Sequence, residues 1–491
     1  MRALRRPARV LALATLLAAP VLAGDVSPTS LPDAAARAAL DLVYDGAFHD
    51  AETRLAALAR AHPDDPVLPY LQALALEWRL EQAPGSRAHD AEVLALADRS
   101  LSLAGVVLAR DPADGRALLA RGAAHGVKSR LHLFRWEKGP ASREAVTMRE
   151  ALAAARAAGA EALDLDFGLG LYDYYADTLP RFFKVVAFVL RIPGGDRERG
   201  LAAIARVARG GSLFHDDEAR VQMYDIHSYF EGRPDRAVHW IREMWRLHPG
   251  WPLWGLKLAQ LVGEPMGLWG ESAAVAREIL ATAETGRHPN YQPVVAAMAR
   301  VLLAEALLGD LRAEEACATV RDAGSGGPAA AAWVGSRAER VRARCLDLER
   351  RAGSPEGRAV ALLARSRRLR ERGEEAAAEA TCLLAFQAFP ASAEARLCAA
   401  RESLRAGRPD AARALARAVL DGEGNAALRP FAHLVIAQAG ERAGERAEAL
   451  LHYRRAWDEP LGHVALRAEA AAAIRRLEPG AALPDAPPLE R

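Results

Sequence analysis

A glycine, an alanine five residues on and a proline seventeen after the glycine recur along this chain. Gly46/Ala51/Pro63, Gly232/Ala237/Pro249 and Gly373/Ala378/Pro390 carry the whole pattern, and Gly407/Ala412 and Gly444/Ala449 its first half. Gly373 to Gly407 is a step of 34 residues. Each residue type has a physical role at that spacing. Two helices approach closely only where side chains are no larger than Ala, glycine frees the turn after the first helix, and proline ends the second. Ala and Leu dominate and β-branched or aromatic runs are rare, so the chain is expected to be all-α, with one helix pair stacked on the next.

The units can be followed residue by residue. From near Pro32, Ala39 and Ala51 stand where the helices touch, Gly46 at the turn and Pro63 at the stop. From Ala393 the matching residues are Ala400, Gly407 and Ala412, and from Pro430 they are Ala437, Gly444 and Ala449. This pattern resembles the tetratricopeptide repeat. The resemblance implies a right-handed superhelical solenoid of antiparallel helix pairs whose stacked first helices line a concave face for a protein or peptide. One unit departs from it: between Asp217 and Gly250, Asp225 takes the first contact position, so the packing there must differ. The string from Phe167 through Tyr172, Tyr174, Tyr175, Leu179-Pro180 and Lys184 to Gly194-Gly195-Asp196-Arg197-Glu198 is similar to a signature of exported bacterial tetratricopeptide proteins of unassigned role. That likeness implies a fold and no chemistry.

The first residues hold four arginines (2, 5, 6, 9), then an apolar stretch from Val10 to Leu22 and small residues up to Ala23. This is the text of a secretory signal peptide, expected over 1–23, and the apolar stretch is short for a membrane span. Its removal takes away four arginines and no acid, moving the formal charge from +2 to −2. Without a basic tract, nucleic-acid binding loses its electrostatic footing. Lys128, Lys138, Lys184 and Lys257 are the only lysines beside sixty-one arginines, which we read as genome composition. The expected organisation is a helical region over 24–323 with an atypical stretch at 160–260, a Gly-Ser-Gly-Gly-Pro linker within 324–330, regular repeats over 331–478 and a disordered tail at 479–491. Long helices are expected at Val67–Leu80, His89–Arg110, Gly115–Arg135 and Ser142–Ala158, with Gly139-Pro140 as a stop and Gly309-Asp310 as a later turn.

Cys317, Cys345, Cys382 and Cys398 have no metal-ligand spacing. Buried free thiols are expected, with a Cys382–Cys398 bridge the alternative and a Cys317–Cys345 bridge left open. Gly168 and Gly170 read as points of close helix packing rather than a nucleotide loop. Asp196 reads as a helix N-cap. Residues 181–192, apolar apart from Lys184 and the flanking arginines, suit a buried helix, and a partner-docking or interfacial membrane helix is the alternative. His215, His227, His239 and His248 are spaced twelve, twelve and nine apart, which does not stack ligands on one helix face, so no metal is expected.

No nucleophile elbow, HExxH or phosphate loop is present in the sequence. The expected function is an exported, periplasmic or envelope-associated scaffold that binds a protein partner, with no catalytic residue, cofactor or metal. Tyr172 and Tyr175, placed on one helix face with Tyr174 elsewhere, join Arg197, Trp251 and Trp254 as the candidate partner-binding residues. Two alternatives remain. One is a membrane-peripheral assembly factor docking through 181–192. The other is a glycan-active helical enzyme, which would need two of Asp164, Asp166, Asp173 and Asp177 to face one cavity.

Overall fold

A computed structural model describes residues 32–80, 85–160, 163–178, 194–321, 323, 331–422, 426–459, 463–481 and 483. The signal-peptide segment, the 181–192 stretch, residues 324–330 and most of the tail lie outside the described residues. Among the described residues there are 22 α-helices and no β-strand. The first seven are α1 (Asp33–Tyr44), α2 (Phe48–Ala61), α3 (Val67–Leu80), α4 (Asp90–Arg110), α5 (Gly115–Phe134), α6 (Lys138–Ala157) and α7 (Leu163–Thr178). Next come α8 (Arg197–Ala208), α9 (Asp216–Asp225), α10 (Pro234–Leu247), α11 (Pro252–Val262), α12 (Trp269–Glu284), α13 (Pro293–Gly309) and α14 (Ala313–Arg321). The longest later helix, α15 (Ala331–Arg351), is followed by α16 (Pro355–Glu371), α17 (Glu375–Ala388), α18 (Ala393–Arg405) and α19 (Pro409–Leu420). The last are α20 (Arg429–Arg442), α21 (Arg446–Asp458) and α22 (Val464–Leu477).

Each helix packs chiefly on its neighbour in sequence, which makes the chain a tetratricopeptide-like solenoid. The repeat residues do what their chemistry requires. Ala39, Ala51, Ala400, Ala412, Ala437 and Ala449 are fully buried between paired helices, where a larger side chain would force the axes apart. Gly46, Gly407 and Gly444 sit in the left-handed turn at φ between 71° and 78°, a conformation that costs other L-residues roughly 1–2 kcal/mol. The α13–α14 turn differs from expectation. Its left-handed residue is Leu311, at φ 59°, while a Cβ on Gly309 would meet the Trp269 ring. Gly309 is there for packing. The break before α6 also moves, because Pro140 lies in that helix's first turn, where no amide hydrogen bond is lost.

The α7–α8 pair uses glycines on both sides. A Cβ on Gly170 would stand 3.0 Å from the Ala203 Cβ and from the Gly200 carbonyl, so the glycines are packing residues. Asp196 caps α8 by accepting from the Arg199 amide at 2.9 Å. Where Asp225 breaks the pattern, α9 passes into a single π-helical turn at Ile226–Phe230. An acid at a helix-contact position thus coincides with a local change of helix type.

Winding brings distant segments together after about 200 residues. The α1 end meets the α9–α11 region: Arg37 pairs with Asp216 at 2.5 Å and the Trp254 indole donates to the Tyr44 carbonyl at 2.8 Å. The Gly250 amide donates to Asp45 at 2.8 Å, and Asn290 donates to the Asp45 and Gly250 carbonyls. One apolar core gathers residues from Ala36 to Ala316, and α5, α6 and α7 share a second one around Leu118, Met148 and Leu152. Further on, Trp269 faces His463 edge-to-face at 6.5 Å.

The helices on either side of 324–330 share a core of Val301, Val320, Val334, Ala338, Val341 and Cys345. Beyond it, α18 to α22 form smaller cores rich in alanine, and α16 and α17 meet α18 around Leu363, Ala385 and Ala395. The cysteines are not free thiols. Cys317 is bonded to Cys345 and Cys382 to Cys398, with Cα separations of 5.7 and 6.0 Å. Each bridge ties one helix to the next, and in the second pair this happens because a second helix packs on the following first helix.

Candidate functional site

The first helices of the leading six pairs (α1, α3, α5, α7, α9 and α11) turn toward a common centre. Glu218 on α9 is its hub and is 2% exposed. It accepts from the Tyr44 hydroxyl at 3.0 Å, the Trp78 indole at 2.7 Å and Arg130 at 2.5 Å. Glu77, also buried, lies 3.6 Å from the same guanidinium. A buried carboxylate persists only with this kind of pairing. Around it Trp78, Trp251 and Trp254 pack edge-to-face with centroids 5.0 to 6.1 Å apart.

Toward solvent, Lys257 on α11 lies 3.5 Å from Asp225 and 5.0 Å from the Tyr224 ring centroid. Burial pushes the Asp225 carboxyl above its ordinary range, while Lys257 and Arg130 pull it back. Tyr175 donates to Gln222 at 3.3 Å, and its hydroxyl is pushed up by burial and by Asp225. The centre is therefore polar, charged and filled.

A second buried network fixes the loop before α9. Asp164 accepts from the Leu213 and Phe214 amides at 2.8 and 2.9 Å and contacts His215 Nδ1 at 2.6 Å. A carboxylate only accepts, so Nδ1 carries the hydrogen and the other nitrogen is free to accept from Tyr70, 2.5 Å away. Burial alone raises the Asp164 carboxyl, but His215 and the two amides outweigh it and hold it low. The remaining histidines do not converge on it: His248 lies 3.2 Å from Asp217, His239 is largely exposed, and His227 is buried and pushed down to about 4 by that burial.

The five residues expected to form a partner-binding face do not share one. Trp254 is 0% exposed and Trp251 6%, because both fill the centre beside α1. Tyr172 is buried against Leu118, Met148 and Leu152. Tyr175 pairs instead with Tyr174, ring centroids 5.1 Å apart, so the expected grouping of the tyrosines is reversed. Both sides of α7 are covered by protein, and periodicity alone cannot rank two buried faces. Arg197 is held by Glu231 at 2.9 Å, and that acid also accepts from Tyr174 at 2.6 Å. The four aspartates scatter as well. Asp166 pairs with Arg206, Asp173 with Arg199, and Asp177 accepts from the Arg197 amide.

Sequence reading missed Glu77, Arg130, Glu218 and Lys257. A signal existed for Glu77, the one acid in the apolar text of α3. None existed for Arg130 among so many arginines.

The later first helices carry a different surface. Arg370 on α16 and Arg405 on α18 both hold Glu402, which is 2% exposed. Gln438 on α20 donates to Glu469 on α22 at 2.8 Å. Between them Arg401 on α18 lies over the Phe431 ring, 5.2 Å from its centroid. Cys382, Cys398 and Glu402 form the one metal-type cluster among the described residues, but its sulfurs are bonded to each other and its carboxylate is held by arginines.

A scan against protein-family models finds no match, and no curated protein matches the chain. Solved structures similar to it include the P58(IPK) TPR domain, at 12% identity and TM-score 0.22, over 90% of this chain and 96% of that one. Yeast Tom70 follows at 11% and 0.25, over 91% and 95%. A human IFIT1 dimer with PPP-AAAA stands at 12% and 0.25, over 91% and 84%. The fold assignment rests on the chain's own helix pairs.

Proposed function

We propose that the protein is an exported, non-catalytic scaffold of the periplasm or cell envelope that receives a segment of a partner protein on the inner side of its α16–α22 repeats. The observation that carries this reading is the contrast in filling. The interior of the leading pairs is occupied by Trp78, Trp251, Trp254, Glu77 and Glu218, all buried. The inner side of the later repeats presents partly exposed arginine and glutamine side chains. The amino-terminal text and the two disulfides favour an oxidising compartment. Among the described residues no helix is long and apolar enough to cross a membrane.

A photo-crosslinking residue introduced at Gln438, on the inner side, is expected to yield a discrete protein adduct in intact cells. The same residue at Leu451, exposed on a second helix, is expected to yield none. Adducts only at 451, or none at either position, would overturn the binding reading. Retention of the chain in the cytoplasm after osmotic shock would overturn export.

A further inference from the structure

Trp136 stands between α5 and α6, at the place where other pairs put a glycine. Its φ is 61°, the left-handed conformation of Gly46, Gly373, Gly407 and Gly444, and one that a bulky side chain rarely adopts. The ring gains no burial in return: it is 83% exposed, and Leu133, one helical turn back, is 59% exposed. The turn from α9 into α10 also departs from the repeat, because the π turn at Ile226–Phe230 leaves Tyr229 and Phe230 more than half exposed. Trp136, Tyr229 and Phe230 are the three exposed aromatic side chains among the described residues.

Both turns lie on one edge of the solenoid. Gly115, at the start of α5, packs against Ala160 just ahead of α7. Asp164, at the start of α7, holds the Leu213 and Phe214 amides just ahead of α9, and Tyr175, near its end, has the Phe230 ring 5.4 Å away. The three helices therefore run side by side in one direction and end on the same edge, α7 in the middle. From that middle end the chain leaves at residue 179 and returns by residue 194, and ten of the fifteen residues between are apolar in sequence, too few to cross a bilayer. Charges beside the tips are paired with one another: Arg135 holds Asp90, Arg197 holds Glu231 and Arg233 holds Asp235. A protruding ring, unlike a groove, has no walls that select a partner's side chain. It suits a soft, flat phase, and Trp and Tyr settle at the headgroup level of a bilayer, where one side of the ring is apolar and the other wet.

We infer that this edge rests on the surface of a zwitterionic lipid bilayer, with Trp136 and Leu133 entering the headgroup layer at one turn and Tyr229 and Phe230 at the other. Because the neighbouring charges already have partners, the contact needs no anionic lipid. It stands apart from the reading that α16–α22 receive a protein segment, and leaves those repeats free to do so.

The test floats the full mature chain with phosphatidylcholine vesicles, with and without phosphatidylglycerol, at low and high salt. The wild type is expected to float with both kinds of vesicle at both salts. Trp136→Gly restores the residue that other turns use, so its melting temperature should hold or rise while vesicle affinity falls about tenfold. A purely structural role would instead lower the melting temperature and leave affinity alone. Tyr229→Ser should weaken flotation in the same direction, and Leu451→Ser, exposed on α21, should match the wild type. Failure of the wild type to float overturns the proposal, as does flotation that Trp136→Gly leaves unchanged. Binding that requires phosphatidylglycerol and disappears at high salt overturns the zwitterionic surface. Sedimentation showing a dimer without vesicles, lost in Trp136→Gly, would give the edge to a second copy and overturn it too. A Gln438 adduct in cells reports on the scaffold reading separately.

Discussion

The leading pairs, α1 to α12, and the late repeats, α16 to α22, are built from the same unit and solve different problems. In the first region aromatic and charged side chains from alternate helices meet at a centre, and α1 returns to touch α9, α11 and the loop before α13. In the second, alanine cores join neighbour to neighbour and a disulfide ties α17 to α18. Small residues at pair contacts decide that a solenoid forms. The inward-facing residues decide how its interior fills.

The strongest way to break this comparison is to remove the hub. Glu218→Ala leaves Arg130, Tyr44 and Trp78 without their acceptor, so about 3–5 kcal/mol is expected to be lost. Peptide-resolved hydrogen exchange should show the loss in α1–α12 and little change in α18–α22. Equal loosening of both regions would mean that they are one cooperative unit.

Next in size is the bridge. Replacing Cys382 and Cys398 by alanine releases a cross-link spanning 16 residues, worth about 3 kcal/mol. Urea denaturation followed by exchange should show α16–α19 opening first. An unchanged midpoint would indicate that the alanine cores alone hold the late repeats.

Acid sharpens the contrast further. His433 and His452 touch through their Nδ1 atoms at 3.0 Å, and each titrates at about 4 because of burial, reinforced for His433 by His452 and nearby arginines and for His452 by arginines. In the unfolded chain the same rings titrate at about 6.5, so on acidification the unfolded chain takes up protons first. Stability is full above about pH 6.5 and declines as pH falls toward 4, by on the order of 2 kcal/mol per ring at pH 5. The leading region has one such ring, His227. Melting between pH 7 and 5 should therefore lower the late repeats more, and a His433→Gln, His452→Gln variant should flatten that slope. A slope unchanged in the variant would assign the acid response to other groups.

The pair-contact alanines and the turn glycines were legible in the sequence because a helix pair is a local object, and each residue acts within its own unit. Asp225 was legible as a departure for the same reason, though not as a π turn paired with Lys257. The meeting of Tyr44 with Trp254, or of Trp269 with His463, was not legible, since it depends on small rotations summed over many pairs. Trp251 and Trp254, which could serve either a binding face or a thick local core, are core. Cys382 and Cys398 showed their proximity because only one helix boundary separates them, whereas their oxidation was weighed against the commoner buried thiol.

The contact between Asp45 and Asn290, 245 residues apart, has a consequence for the order of events during folding. A solenoid of purely local pairs can start anywhere and grow along the chain. Here the amino-terminal helices wait for partners that emerge much later, and such distant closures slow the search. During synthesis, α1 to α3 would remain unfinished, with Trp78 and Phe48 uncovered, until Trp251 and Trp254 arrive to pack on them. The leading region then completes in one step, and the late repeats add to a finished base.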